Sequence, residues 1–449
     1  MSPEREIRDH ISLASVEDVQ RLVRSRTPGD PPLHIVSTGR SWGMGSSLPA
    51  SGPVDTIDLA GMSAIRDLNL DRGYAVVEPG VTQGQLASAL STTSWMVNVT
   101  VSSAHTSIVG NLLDRGVGLR HQRTEDVLGL EVVLADGSLS HLGWWPDGGQ
   151  SARYRHGLGP DLLPAFQQSS FGAVTAAVIR LIPRPEAGRL LQFTIPEGSL
   201  ADAMDEVRHW VTQGVTRAVV KVYSPAAAAP YGATSGHYLA HVYVDGPMEI
   251  VDASSRWLIE RARVSGHFGG VDIGSDPARS ESQCALDRAV TASYQGDPDE
   301  TDHLFESKMG VAADEIDERL GFLMYLPLVP FRGSQVAAVA ALVAQQAMDT
   351  PIGVTFNALD TEVIDCVVTV RFAREEGSRA LAWNRLESLA STLSNRGYQP
   401  YRLGADLFGP GPELVNPTAQ AVNGAVKNAL DPDRVFASGR YSDLREERP

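Results

Sequence analysis

The sequence predicts a two-domain α+β protein in which a strand-rich N-terminal part, closed by prolines, precedes a part where helices and strands alternate. Three observations carry that expectation. The chain has 449 residues, and at roughly 150 residues per domain it has room for two or three packed cores. Up to about residue 185 the apolar runs are short and are separated by turn signals such as Pro79-Gly80 and Asp136-Gly137. Between residues 190 and 400 long helix-periodic segments alternate with short β-rich ones, the pattern of a sheet covered by helices.

Taken in order, residues 12–25 predict a short helix with Val16, Val19, Leu22 and Val23 on one face. Leu33–Ser37 is an extended segment leading into a glycine-dense turn. Val54–Leu59, Tyr74–Glu78 and Leu128–Ala135 read as strands, and Asp136-Gly137 returns the last of them through Ser138–Leu142 as a hairpin. Gln83–Leu90 reads as a helix after the Pro79-Gly80 turn. Pro183 and Pro185 mark a domain boundary. Beyond it, helices are expected over Leu200–Thr212, Met248–Val264, Ser334–Ala347 and Ser378–Asn395. Strands are expected over Ala218–Tyr223, Leu239–Val244, Gly321–Leu328 and Ile364–Phe372, and Asn416–Tyr441 is expected as a last helix, closed by Asp431-Pro432.

Composition excludes several function classes. With 38 Lys+Arg against 54 Asp+Glu the net charge is −16, and an acidic excess spread along the chain repels phosphate backbones, so nucleic acid is not an expected partner. Cys284 and Cys366 form no CxxC pair and stand beside no histidine cluster, so neither a disulfide framework nor a metal site is expected. Residues 1–25 carry Glu4, Arg5, Arg8, Asp9, Glu17 and Asp18 with no apolar run, unlike a secretion signal, and a cytoplasmic location is the expectation. The uncharged stretches Val222–Val244 and Gly333–Met348 are too rich in small and polar residues to cross a bilayer. The acidic run Asp297–Asp302 reads as a solvated loop.

The strongest local signal is Ser37-Thr38-Gly39-Arg40-Ser41-Trp42-Gly43-Met44-Gly45-Ser46-Ser47. Its glycines and small hydroxyl residues let backbone N–H groups converge on a diphosphate, although an isolated cluster of this kind is more often a surface turn. It is neither a strand-GxGxxG-helix fingerprint nor a P-loop. A second cluster, Ser102-Ser103-Ala104-His105-Thr106-Ser107, precedes Ile108-Val109-Gly110-Asn111 and then Arg115-Gly116-Val117-Gly118. It is poor core material and good cofactor lining.

Together with Glu78-Pro79-Gly80-Val81-Thr82, these segments resemble the PCMH-type FAD-binding domain of the vanillyl-alcohol oxidase and 4-cresol dehydrogenase family. Further matches are Leu130–Gly137, Gly159-Pro160, Gln168–Thr175 and the closing Lys427-Asn428-Ala429-Leu430-Asp431-Pro432 with Gly439-Arg440. The resemblance covers nearly the whole chain and implies an FAD-binding domain over 1–188, a substrate-binding α/β cap over 189–399, and a segment, 400–449, that returns to the first domain. The implied cofactor-binding residues are Thr38, Gly39, Arg40, Ser41, Trp42, Gly43, Gly45, Pro79, Gly80, Val81, Ser103, Thr106, Ser107, Gly110, Asn111, Gly116 and Val174. The Tyr401-Arg402 pair matches the family's C-terminal substrate-binding Tyr-Arg pair.

Other active-site positions depart from the family. Met44 replaces one tyrosine of the phenol-oxidising members, Leu119 a second, and Ser102 stands where a carboxylate faces flavin N5. Phe322 stands where a histidine tethers the flavin, and Arg40 where other relatives place one, so the FAD is expected to be non-covalent. Met44, Ser102, Leu119, Phe322 and Asp365 are the expected substrate pocket, and Tyr401, Arg402 and His105 the catalytic candidates. For several of these a structural role competes. Tyr401-Arg402 also makes good glue between domains, His105 is either a loop residue or a replacement base, Trp42 stacks on the cofactor or fills core, and Cys366 reads as a buried thiol.

The resulting expectation is an FAD-dependent oxidase or dehydrogenase that removes hydride from a small or medium organic molecule, phenolic or anionic, in natural-product tailoring. Oxygen or an electron-acceptor protein reoxidises it, and analogy implies a homodimer. The alternative is a flavin-binding protein with a non-redox role.

Overall fold

The computed structural model describes residues 5–149, 151–233, 235–273, 281–313, 315–346, 352–375, 377–405 and 416–441. The expected helix end at Ala347, and residues 406–415 and 442–449 of the C-terminal segment, lie outside these.

Three larger sheets, with a two-stranded one pairing Trp95–Met96 and Ile182–Pro183, organise the described residues. A parallel three-stranded sheet has the order Ile7–Ser12, Val54–Asp58, Leu33–Val36. An antiparallel five-stranded sheet runs Ile65–Asn69, Tyr74–Val77, Ala173–Arg180, Val127–Val133, Leu139–Gly143. The third has eight strands in the order Gly270–Asp272, Ala187–Pro196, His237–Gly246, Lys221–Tyr223, Gly353–Ala358, Val363–Ala373, Leu320–Pro330, Pro400–Arg402. Chain order and space part company at its last strand, which brings Tyr401 and Arg402 back beside Leu320–Pro330.

Alternation along the strands decides what each face of the eight-stranded sheet meets. Leu191, Phe193, Val222, Phe356, Ile364, Cys366 and Val368 face four helices, Leu200–Thr212, Met248–Ser265, Gly333–Gln345 and Ser378–Ser394, and form the largest core with Trp210, Leu258, Val339 and Leu386. Cys366 is therefore a buried thiol on the helix side. The intervening residues Leu190, Tyr223, Leu239 and Tyr243 face the other way, against Leu119 and the helices Glu281–Tyr294 and Thr301–Met309.

Several expectations need correction. The last helix is Pro417–Leu430, and Asp431 ends it by accepting the N–H groups of Val435 and Phe436 at 2.7 and 3.0 Å. The strand expected from Ala218 begins at Lys221, because Val219 N–H donates instead to the Leu119 carbonyl. The acidic run is not a free loop: Thr301 is buried and opens a helix, and Asp302 accepts the Ala104 N–H at 3.3 Å. Nine strands among the described residues escaped the periodicity reading, among them Ile65–Asn69, Ala173–Arg180 and Gly353–Ala358.

Candidate active site

A cavity of about 310 Å³ opens where the glycine-rich turn, the Thr106–Asp114 segment and the C-terminal residues Phe436–Tyr441 meet. Local chemistry builds each wall. Ser107 donates to the Pro79 carbonyl (2.7 Å) and accepts the Gly110 N–H (2.9 Å), which starts the short helix Ile108–Leu113. Buried Gln83 donates to the Thr100 and Ser103 carbonyls at 3.0 and 2.7 Å and pins the loop between them. The C-terminal wall is set by Lys427, whose Nζ donates to Asp431 (2.6 Å), the Ser170 carbonyl (2.7 Å) and the Phe436 carbonyl (3.1 Å). Leu33 completes it by pairing through its backbone with Val435 and Ala437.

The lining is polar in a way the protein alone does not satisfy. Arg40 Nη1, Asn111 Oδ1, Ser169 Oγ and Ser170 Oγ are buried and without a hydrogen-bond partner among the described residues, and such groups cost about 1–3 kcal/mol each unless something meets them. Ser46 and Gln168 also line the cavity with left-handed backbones, φ 51° and 53°, a strain that gathers at functional sites. Burial pushes the His34 imidazolium down to about 4, against the Ser47 carbonyl and with the charge of Arg440. His34 is thus neutral near pH 7, and Arg40 and Arg440 are the cations on the wall.

Arg402 reaches the same cavity from the eight-stranded sheet. Its Nε and Nη2 donate to Asp114 Oδ2 at 3.0 and 2.5 Å, and Tyr441 donates to Asp114 Oδ1 at 2.5 Å. Burial works against the Arg402 charge, but Asp114, Tyr401 and Tyr441 outweigh it and raise its pKa. Gln168 Nε2 donates to the Tyr401 carbonyl at 2.8 Å and fixes that strand to the cavity wall. The Tyr401 hydroxyl pKa is raised, first by burial and then by Asp365, with Arg402 opposing. Burial raises Asp365 to about 6, against Asn357 Nδ2–H, which donates at 3.0 Å, and the charges of Lys221 and Arg402.

Of the residues expected at the cofactor, the cavity is lined by Thr38, Gly39, Arg40, Ser41, Pro79, Thr106, Ser107, Gly110, Asn111 and Val174. The others stand behind that lining. Trp42 packs on Phe305, centroids 5.3 Å apart, in an apolar cluster with Phe322, Ala313 and Ile316. Gly43 accepts the Met324 N–H (2.9 Å), and at φ 74° a Cβ there would sit 2.5 Å from the Phe322 ring. Gly45 meets Ala405 in the same manner, so these two glycines let the loop approach the strand Leu320–Pro330 and the segment after Arg402. Gly80 is tucked under the Ala60 carbonyl, Val81 is core, Ser103 accepts the His105 N–H, and Gly116 packs on Asn111.

Among the substrate and catalytic candidates, His105 is exposed and does not line this cavity. Ser102 shares hydroxyl contacts with Thr100 (2.8 Å) and Thr106 (2.6 Å). Met44 is buried and its carbonyl accepts the Ala405 N–H, while Leu119 is core on the sheet's inner face. Asp365, Tyr401 and Arg402 come together. Sequence reasoning missed Asp114, Gln168, Ser169, Ser170 and Tyr441 as site residues; all lie in or next to the quoted motifs, but the partners of Asp114, Gln168 and Tyr441 are hundreds of positions away.

Comparison with known proteins finds flavoproteins. The family described as an FAD binding domain matches residues 10–143. The chain is 29% identical to 1'-carboxy-chondrochloren decarboxylase of Chondromyces crocatus, over 98% of this chain and 91% of that protein. It is 24% identical to the 4-cresol dehydrogenase [hydroxylating] flavoprotein subunit of Pseudomonas putida, over 96% and 87%. Residues 10–143 thus carry an FAD binding domain, and the chain is similar to flavoproteins over nearly its whole length. The fold of this flavoprotein matches p-cresol methylhydroxylase with substrate bound, TM-score 0.84 at 22% identity, covering 97% of this chain and 89% of that one. The match to 4-ethylphenol oxidase from Gulosibacter chungangensis in its isoeugenol complex is the same, TM-score 0.84 at 22% identity over 98% and 90%.

The residues present fit FAD. The unpartnered Arg40, Asn111, Ser169 and Ser170 atoms and the Arg440 cation offer a dinucleotide what a diphosphate and ribityl chain need, charge and hydrogen-bonding groups inside a formed cavity. No helix among the described residues is long and apolar enough to cross a membrane.

Proposed function

We propose that this flavoprotein is an oxidase or dehydrogenase of the vanillyl-alcohol oxidase type that oxidises a phenolic or similarly acidic organic substrate at Tyr401 and Asp365. The observation that carries the reading is the placement of Arg402 on the cofactor cavity with Tyr401 beside it and buried Asp365 against Tyr401. When bound, FAD would supply the acceptor for one hydride, which carries the two electrons of the oxidation. The chain's residues supply the proton chemistry. Asp365, raised to about 6, is ionised at neutral pH, yet its basicity is above that of an ordinary carboxylate, so it is poised to take the proton of a substrate hydroxyl. Tyr401 and Arg402 hold the resulting anion, whose electron push weakens the C–H bond at the carbon conjugated to it. Asn357 Nδ2–H fixes the Asp365 carboxylate for this task.

The FAD is held without a covalent bond in this reading. Phe322, at the tether position, is packed against Trp42 and Phe305 and has no nucleophile to offer. Oxygen or a protein acceptor, a cytoplasmic location and a homodimer complete the proposal by analogy with the family. Anaerobic addition of phenols, alcohols and amines to the yellow holoprotein tests it. Bleaching by a phenolic compound, together with flavin released into the supernatant on acid precipitation, is expected. A flavin that no compound reduces favours the non-redox role, and flavin pelleting with the protein refutes the non-covalent assignment.

A further inference from the structure

The inner face of the eight-stranded sheet carries a line of polar side chains where a packed sheet interior would be apolar. The register pairs Gln192 with His241, His241 with Lys221, Lys221 with Asn357, and Asn357 with Asp365, so five polar residues stand side by side on five adjacent strands. Two are accounted for within the sheet's own surroundings: Gln192 donates to Asp287, and Asp365 accepts from Asn357. Asp365 and Asn357 are 2% and 3% exposed, yet Asp365 Oδ1 and Asn357 Oδ1 have no hydrogen-bond partner among the described residues. Burying unmet polar atoms in this way is costly, and the row is polar for a reason other than packing.

Lys221 lies in the middle of that row and has neither hydrogen bond nor ion pair among the described residues. A second ammonium joins it from above. The helix Thr301–Met309 brings Lys308 Nζ to 5.5 and 5.3 Å from the ring centroids of Tyr223 and Tyr231, and the two aromatic faces hold it by cation–π attraction. Lys308 also has no carboxylate within ion-pairing distance among the described residues. Burial lowers Lys308 to about 7, with Lys221 adding repulsion, and lowers Lys221 to about 8, with Asp365 opposing. Two neighbouring lysine amines thus face one carboxylate, Asp365, on their part of the row. A structural lysine at such depth is normally paired.

We propose that Lys221 and Lys308 form a carboxylate-binding subsite, and that the substrate is an organic acid whose carboxylate docks on these two ammonium groups while its oxidisable end lies at Tyr401 and Asp365. The inference rests on the placement of the reaction at Tyr401 and Asp365 given above. The spacing suits one molecule: Lys221 and Asp365 are two strands apart, about 10 Å, and the row runs on to Tyr401, Arg402 and the cofactor cavity. A bound carboxylate neutralises the lysine pair and gives each ammonium the partner it lacks. Tyr223 and Tyr231 position Lys308 and present ring faces to the carbon skeleton between the two ends.

The test uses the FAD-loaded full chain and a binding readout, the perturbation of the flavin visible spectrum, with calorimetry in parallel. The probes are 3-(4-hydroxyphenyl)propanoate and its methyl ester, which share a phenol and differ in the charge at the far end. The wild-type protein is expected to bind the acid at least tenfold more tightly than the ester. Lys221→Met and Lys308→Met are each expected to abolish that preference while leaving ester affinity and FAD content within twofold, and Lys308→Arg to retain it. Should Lys221→Met fail to fold, Lys308→Met on its helix carries the test. Equal affinity for acid and ester, no measurable binding of the acid, or a preference that survives both methionine variants overturns the subsite. Because binding is read without turnover, the two proposals fail separately. A protein that discriminates the acid but is reduced by nothing keeps the subsite and loses the redox reading; one reduced by phenols with no regard for the carboxylate does the reverse.

Discussion

Arg402→Ala is the perturbation with the clearest structural forecast. In the intact protein Arg402 gives two hydrogen bonds to Asp114 Oδ2 while Tyr441 serves Oδ1, and the two side chains of the ion pair are 13% and 20% exposed. Removing the guanidinium leaves Asp114 buried with one hydroxyl donor. Breaking a buried pair from one side costs about 3–5 kcal/mol, and the residual exposure and the Tyr441 bond place this case at the lower end, about 3 kcal/mol. Both partners line the cofactor cavity, so the loss is expected in FAD affinity as well as in stability. The assay is a double-mutant cycle of Arg402→Ala and Asp114→Asn, read by urea unfolding and by FAD titration of the apoprotein. A coupling energy of about 1–3 kcal/mol is expected, with the double variant little worse than Arg402→Ala alone. Strict additivity, or FAD affinity unchanged in Arg402→Ala, would refute the reasoning.

Two further predictions address the proton chemistry and the loop. Asp365 has a folded-state pKa of about 6, above the ordinary value near 3.8, so the folded protein holds this proton more tightly than the unfolded chain. Stability is therefore lost as pH rises from about 4 to about 6 and stays low above that. Asp365→Asn is expected to be more stable than wild type above pH 6, by at most about 3 kcal/mol for a shift of roughly two units, with the difference vanishing below pH 4; urea midpoints across pH show it, and a constant difference refutes it. Turnover in the wild type should rise with pH to a plateau just above 6, a rise absent from Asp365→Asn. Gly43→Ala forces a left-handed alanine, costing about 1–2 kcal/mol, and pushes Cβ into Phe322 and Met324. It should lower thermal stability and FAD retention together, and an unchanged melting temperature would show the loop can move off the strand.

What the sequence shows and what it hides follow from the range of the interactions. The FAD cradle was legible because its glycines and hydroxyls are clustered within a few positions, in Thr38–Ser41 and Thr106–Asn111, and each cluster largely builds its own turn. The hairpin at Asp136-Gly137 and the helix Gln83–Leu90, with its Thr82–Gln85 capping box, are local in the same sense. Asp114 belongs to one of the quoted motifs, yet nothing local shows that it meets Arg402 and Tyr441, 288 and 327 positions away. Gly43, Gly45 and Trp42 look like cofactor residues from their neighbours, and nothing local shows that they pack against Phe322, Ala405 and Phe305. Lys221 and Lys308 gave no signal at all: one sits in a three-residue strand and the other on a helix whose first turn is acidic enough to read as solvent-exposed. Only the sheet register makes them neighbours.

These long-range contacts have a functional corollary. Arg402 stands at the junction of two sets of groups, the cofactor wall through Asp114 and Tyr441 and the substrate row through Tyr401 and Asp365. Gln168, strained at φ 53° and bonded to the Tyr401 carbonyl, makes the same connection through the backbone. Some of the buried atoms without a hydrogen-bond partner among the described residues lie on the cavity wall, in Arg40, Asn111, Ser169 and Ser170, and others beside Tyr401, in Asn357 and Asp365. In the proposed reading FAD would meet the first set, and the Asp114–Arg402 pair would then link the cofactor wall to the groups around Tyr401 and Asp365.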